Sequence, residues 1–401
     1  MEDMRCITAL VIALGCASAG AQTLASPPAS PPASPPASPL GREQALALGL
    51  DISDLSAKTA AAKLGRDLFC IEADGEVLTL LARSPAEAFH IGGSVRLDLE
   101  RIGPPDLKRG SLWAGRIKLA RADQAMLALE LVFLHPDGRS ETRSVIWRGP
   151  QAPAPPPEGA PDTARLDGRV SEHHLTSKAL AETRKVFVYT PPNWSKQVSL
   201  PALYMTDAGA LTFAPMVEAM IEAHEIRPIL IISADNGDYG VVGKGPPEGA
   251  SLRGLEYLPA GARFADHMRF FLDELTPWAS SEFNASRTPG DRAVSGSSNG
   301  GAFALRAGLD HGDIFGIAIP MSPAGPPPAT ESLARQPRAR FFLSAGDYEA
   351  GIERNARIEA GMLSAEGFDV QGRYYAAGHN ELQWKQALHD ALLQVFSAKG
   401  G

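Results

Sequence analysis

Basic residues and cysteine are both scarce in this 401-residue chain: 38 Lys and Arg face 46 Asp and Glu, and there are only three cysteines. The formal charge of −8 leaves no basic surplus to neutralise phosphates, so nucleic acid is not expected as a partner. No HExxH, CxxC or paired His/Cys cluster occurs, and the nine histidines are scattered, so neither a metal nor another cofactor is expected. Beyond the amino terminus no run is long and apolar enough to span a bilayer.

The one sustained apolar stretch runs from Cys6 to Cys16, too short for a membrane span and followed by Ala19-Gly20-Ala21. Residues 1–21 therefore read as a signal peptide cleaved after Ala21, giving a soluble exported protein that is periplasmic or secreted. Glu2 and Asp3 outnumber Arg5 ahead of the apolar run, whereas a start at Met4 restores the positive flank. Leu14-Gly15-Cys16 loosely resembles a lipoprotein box, and the alternative is a lipid anchor on Cys16. Cleavage after Ala21 would leave Cys70 with no intramolecular disulfide partner, as a small buried apolar side chain.

What is present is a composition that can bury a sizeable core, 44% hydrophobic and 21% charged. Residues 22–41 repeat Ala, Ser and Pro and read as an extended linker. Residues 42–148 begin with an Ala- and Leu-rich helical stretch over 42–66. Short strand-like runs such as EVLTLLA, SVRLDLE and MLALELVFLH follow, which suggests a small β-sandwich-like domain. A second Pro-rich linker covers 149–165. From 166 to 401 strands alternate with helices, the pattern of an α/β domain with a mostly parallel central sheet. His173 and His174 are expected on an exposed turn.

The chemistry centres on Gly296-Ser297-Ser298-Asn299-Gly300-Gly301, which follows the strand-like RAVSG and precedes the helical AFALRAGL. That is the setting of a nucleophile elbow, where small flanking residues let a serine stand in a tight strand-to-helix turn. A serine hydroxyl needs a base to take its proton, and in this fold the acid and histidine follow it in chain order. His311 ends the following helix and His389 lies within another, which leaves His379, in a Gly-His-Asn turn after RYYAA, as the base. The orienting acid should follow ARFFLSAG, where Asp347 and Glu349 both qualify. One oxyanion donor is the backbone N–H of Asn299. The second should come from the loop Thr206-Asp207-Ala208-Gly209, through Ala208 or Gly209, with Asp207 buttressing the loop.

These ordered motifs, with KVFVYTPP, LYMTDAG, Arg253-x-x-Glu256-Tyr257, FLDELTPW and Trp384, resemble the enterochelin (siderophore) esterase family and the wider esterase D-like α/β-hydrolases, from about Gly168 onward. The resemblance implies an α/β-hydrolase domain preceded by a β-sandwich. It favours Glu349 over Asp347 as the acid and makes Arg253 and Glu256 structural partners of the substrate loop. Two departures stand out: Asn299 replaces a bulky apolar residue, and MSPAGPPPATE lacks the family's aromatics. The expected activity is serine-dependent hydrolysis of a small-molecule or carbohydrate ester through an acyl-enzyme, with siderophore trilactones ahead of feruloyl or acetyl sugars. The alternatives are acyl transfer by the same residues and an inactive binding protein.

Overall fold

A computed structural model describes residues 50–86, 88–106, 109–135, 137–236, 251–328 and 338–398. The expected signal peptide, Cys16 and the linker at 22–41 lie outside the described residues. The chain divides into two compact units. The first holds Met1–Pro153 together with the short segments Gly346–Ala350 and Tyr374–Gln383, and the second holds Ala154–Ala345, Gly351–Arg373 and Trp384–Gly401.

In the first unit, helix α1 (Ala57–Leu64) starts where the Ser56 hydroxyl accepts the Thr59 N–H at 3.1 Å. Of the helical stretch expected over 42–66, residues 42–49 are outside the described set and the rest shortens to this element. Seven strands follow: β1 (Phe69–Asp74), β2 (Val77–Ser84), β3 (Ala88–Gly93), β4 (Leu97–Ile102), β5 (Ser111–Lys118), β6 (Met126–Leu134) and β7 (Ser140–Arg148). They pair in the order β1-β2-β5-β4-β3-β6-β7, every ladder antiparallel, with β4 joining two sets of strands. Alternation sets which side chains go inward, as in β4, where Leu97 and Leu99 are buried and Asp98 is exposed. One buried cluster takes Ile71, Leu80 and Trp113 from one set and Phe89, Leu129 and Trp147 from the other. Cys70 in β1 is buried, as expected, while Cys6 and Cys16 lie outside the described residues.

The second unit carries strands β8 (Arg169–Ser177), β9 (Glu182–Thr190), β10 (Ala202–Met205), β11 (Leu230–Ala234), β12 (Arg292–Ser297), β13 (Ile317–Met321), β14 (Arg340–Gly346) and β15 (Val370–Tyr375). Their order is β15-β14-β13-β12-β10-β11-β9-β8. The pairs β10–β11, β10–β12, β12–β13 and β13–β14 are parallel, whereas β9–β11 and β8–β9 are antiparallel, so the sheet is mixed. Strands β10, β11 and β13 are buried at every position, as expected where both faces are covered. Around them lie α2 (Gly209–Glu222), α3 (Leu252–Tyr257), α4 (Phe264–Arg269), α5 (Thr276–Phe283), α6 (Asn299–Asp310), α7 (Ile352–Ala365) and α8 (Glu381–Val395).

A π-helical segment, Phe270–Leu275, joins α4 to α5 and lets the consecutive Phe270 and Phe271 both be buried. His173 and His174 are not on a turn: they lie in β8, where the polar run EHHLTS hides an edge strand. The His173 ring packs against Trp278 and Phe283. Among the described residues no helix is long and apolar enough to cross a membrane, and no group of His, Cys, Asp and Glu could hold a metal ion.

Candidate active site

In the second unit, β12 ends at Ser297 and α6 begins at Asn299, with Ser298 between them at φ 57° and ψ −119°. A side-chain-bearing residue in that region is strained, and the surroundings must hold it there. They do so by close approach. A Cβ on Gly296 would lie 2.5 Å from the Gly300 carbonyl oxygen, and one on Gly300 would lie 2.2 Å from Thr206 Oγ1. One on Gly301 would lie 2.5 Å from the Met321 carbonyl oxygen. The Ser298 N–H donates to Met321 O at 3.0 Å, and the Ser298 carbonyl accepts from Ala302 and Ala324, each at 3.1 Å. The half-buried serine is thus fixed by its own backbone. The Asn299 N–H, at the first helical position, has no acceptor among the described residues, so it remains a donor at the positive end of α6.

Beside the elbow is the turn after β10, where Asp207 (φ 57°) and Ala208 (φ 54°) are both left-handed. Arg253, near the start of α3, donates through Nε to Asp207 Oδ1 at 2.7 Å and through Nη2 to Oδ2 at 3.0 Å. The same Nη2 donates to the Ser297 carbonyl at 3.2 Å, which ties the turn to the elbow. Asp207 buttresses the loop, as expected.

The two expected oxyanion donors in this loop are corrected by the structure. The Ala208 N–H donates to Ala234 O of β11 at 3.0 Å and the Gly209 N–H to Thr206 O at 3.1 Å, because two successive left-handed residues turn these amides back towards the strand ends. The Asp207 N–H makes only a long contact, 3.3 Å to the Tyr257 hydroxyl. Burial raises the Tyr257 phenol well above its ordinary pKa and keeps it protonated. Tyr257 stood in the sequence one helical turn beyond Arg253, but spacing gave it no role. Glu256 does not support the loop: it is fully buried, and both its oxygens accept from Arg184 of β9 at 2.8 Å.

In the first unit, His379 Nδ1 lies 3.0 Å from Glu349 Oε1, and the other carboxylate oxygen accepts the Gly346 N–H at 2.9 Å. The Glu349 side chain is fully buried while that of His379 is 37% exposed, so the carboxylate is screened from water and the imidazole is only partly so. With Nδ1 committed to Glu349, Nε2 is the nitrogen that can exchange a proton with a substrate or nucleophile. The alternative acid, Asp347, is corrected: its Oδ2 accepts from Arg121 Nε at 2.8 Å and also from Arg121 Nη2. His311 caps the end of α6 and His389 lies within α8. The acid–base pair falls in the first unit and the elbow in the second.

Residues 177–395 match the model of the Esterase family. The curated protein YjcH of Bacillus subtilis (strain 168), uncharacterised, is 27% identical over 164 residues, 40% of this chain and 64% of the relative, so the chain spans somewhat less than two thirds of that protein. Among solved structures, the enterobactin esterase FES of Shigella flexneri, determined in the presence of enterobactin, matches with a TM-score of 0.63 and 16% identity over 83% of this chain and 97% of that one. The ferric enterobactin esterase of Salmonella typhimurium matches with a TM-score of 0.60 and 15% identity, covering 82% and 96%. At those identities the structures show a shared fold of the α/β-hydrolase type. The family match spans more than half of the sequence, and the chain belongs to the Esterase family, hydrolases of carboxylic esters.

Proposed function

We propose that the chain is an exported serine esterase working through an acyl-enzyme, with Ser298 as nucleophile, His379 as base and Glu349 as the orienting acid. The observation that carries this reading is the 3.0 Å contact of His379 Nδ1 with the buried Glu349, which selects Nε2 as the proton acceptor. Nε2 takes the Ser298 hydroxyl proton as Oγ adds to the ester carbonyl carbon. The proton then passes to the departing alkoxide as the carbon–oxygen bond breaks. Water, activated in the same way, releases the acid from the serine. The Glu349 carboxylate stabilises the imidazolium in each half-reaction.

The tetrahedral oxygen is received by the Asn299 N–H, supported by the unpartnered state of that amide at the helix terminus. The Asp207 N–H replaces Ala208 and Gly209 as the second donor, since its bond to Tyr257 is the one a stronger acceptor would displace. On this reading the second unit is an α/β-hydrolase domain built on its run of parallel strands. The first is a β-sandwich whose two strand sets share one core.

A siderophore trilactone is the preferred substrate, supported by the ordered motifs from Gly168 onward, with feruloyl or acetyl sugar esters second. Export rests on residues 1–21. Wild-type and Ser298→Ala protein would be assayed on a p-nitrophenyl ester, a catecholate trilactone and methyl ferulate, and labelled with an organophosphonate. Turnover and a mass increment on the Ser298 peptide should both vanish in the variant, with the trilactone cleaved fastest. Full activity in Ser298→Ala sinks the mechanism, and absence of labelling and of any cleavage leaves a binding protein. An extracellular or periplasmic form beginning at Gln22 is the expected mature chain, and a lipidated Cys16 would replace that part.

A further inference from the structure

The amino-terminal part of the first unit reaches the two loops that carry Glu349 and His379 through Ser94 in the turn after β3, through the β5–β6 connection and through the first residue of β6. Arg121, in a left-handed conformation in that connection, donates to Asp347 Oδ2 and, through Nη2, to the Tyr374 carbonyl at 3.0 Å. These are the residues two before the acid and five before the histidine. The Tyr348 hydroxyl donates to Ala120 O at 3.0 Å, and its ring sits in the core of the first unit. On the histidine side, the Met126 N–H donates to Ala376 O at 2.8 Å, and Asn380 Nδ2 donates to Ser94 Oγ at 2.8 Å. Gly378 approaches Ser94 so closely that a Cβ there would lie 2.8 Å from Ser94 Cα. Both neighbours of His379 are therefore set against Ser94, while both residues before Glu349 are held by the Arg121 turn.

The loops also brace each other: the Asp347 N–H donates to Tyr375 O at 2.7 Å and the Tyr348 N–H to Ala377 O at 3.0 Å. The bonds just named fall on the neighbours of Glu349 and His379 in the chain. The contacts fall on the flanking residues, the arrangement by which a scaffold fixes a reacting pair without entering the chemistry.

We infer that the amino-terminal domain is a working part of the hydrolase, in which Arg121 and Ser94 are positioning residues that hold the His379–Glu349 pair in register. The inference rests on the reading of that pair as base and acid. It assigns the domain a role in turnover and requires no ligand of its own. A displacement of about 1 Å in a catalytic group can cost about a hundredfold in rate, so small losses at these anchors are readable in kcat.

The test uses the full chain with Arg121→Met, Arg121→Lys and Ser94→Ala. Arg121→Met is expected to lower kcat by about ten- to a hundredfold with KM changed by less than about twofold, and Arg121→Lys to recover part of the loss. Ser94→Ala, the milder change, should lower kcat by a few fold and secures the test if Arg121→Met does not fold. The low-field Nδ1 proton resonance of His379, assigned by its absence in His379→Gln, reads the hydrogen bond to Glu349 independently of turnover. It should broaden or disappear in Arg121→Met. Wild-type kcat together with an unchanged resonance in both Arg121→Met and Ser94→Ala would overturn the inference. If the wild type cleaves no ester, the resonance still decides the positioning, and the failure then belongs to the proposed activity.

Discussion

The serine elbow and the acid–histidine pair are built in opposite ways. The elbow is made by its neighbours: Gly296, Gly300 and Gly301 surround Ser298, and the strain at φ 57° is contained by bonds to Met321, Ala302 and Ala324. The loops of the acid and histidine are also bonded to residues far off in the sequence, Arg121 and Ser94, 226 positions from Asp347 and 286 from Asn380. The elbow depends on its own segment and on the strand ends packed around it in the second unit. A device assembled from distant segments depends on the whole domain that supplies the other half, so the two halves of one proposed mechanism should fail under different substitutions.

The sharpest way to expose the difference is Glu349→Gln. The amide keeps the shape but offers His379 Nδ1 the wrong partner and loses the charge that stabilises imidazolium. We expect kcat to fall by about 10⁴-fold with KM little changed and phosphonate labelling of Ser298 correspondingly slow. Labelling at the wild-type rate would show that the pair does not serve the elbow.

Next in size is Glu256→Gln, which acts within the second unit, through Arg184, Arg263 and His267. Glu256 and Arg184 are both fully buried and share two 2.8 Å bonds, so neutralising the acid strands a buried guanidinium at a cost of about 3–5 kcal/mol. Urea unfolding should show that loss, while the His379 Nδ1 resonance persists below the transition. Unchanged stability would mean that Glu182 and Asp235, the other acids on Arg184, balance its charge by themselves.

Two glycine substitutions set the halves directly against each other. Gly300→Ala drives a methyl group towards the buried Thr206 hydroxyl inside the elbow, and about 3 kcal/mol of destabilisation is expected. Gly378→Ala pushes only on Ser94 and the loop carrying His379. It should leave the melting temperature within a few degrees and lower kcat by about a hundredfold. Equal thermal losses in the two variants would erase the distinction.

Legibility in the sequence divided along the same line. Ser298 and the glycines around it were readable because an elbow is a contiguous pattern, and His379 by its place in a turn after the last strand. Glu349 was not separable from Asp347 by order alone; the choice needed the family likeness, and its physical reason, Arg121, lies 226 positions from Asp347 in the sequence. Ala208 and Gly209 were misread because an amide's direction depends on φ, and nothing in TDAG announces two left-handed residues in a row, one of them alanine. The edge strand β8 was missed because an exposed ladder alternates polar side chains as a loop does. Tyr257 and Arg184 gain their roles only through burial, which composition does not report.

The smallest predicted effect concerns pH, and it sets two buried groups of the second unit in opposition. Glu359 on α7 is 1% exposed, its Oε2 has no hydrogen-bond partner among the described residues, and burial raises its pKa to about 8. The folded chain therefore keeps a proton there between about pH 4.5 and pH 8 that the unfolded chain has lost. The associated stability is complete below pH 4.5 and is lost as pH rises towards 8. His267, buried among Tyr257, Phe271 and Phe303, has its pKa driven well below 6.5 by burial, so its contribution is present above pH 6.5 and lost on acidification. Stability should peak where the two slopes meet, on the mildly acidic side of neutrality. Glu359→Gln removes only the alkaline slope: at pH 5 the variant should match the wild type within about 1 kcal/mol, and at pH 8.5 it should exceed it by a few kcal/mol. Parallel melting-temperature curves for the two proteins from pH 5 to 8.5 would mean that water or a neighbouring group already satisfies the Glu359 carboxylate. The alkaline limb would then arise elsewhere.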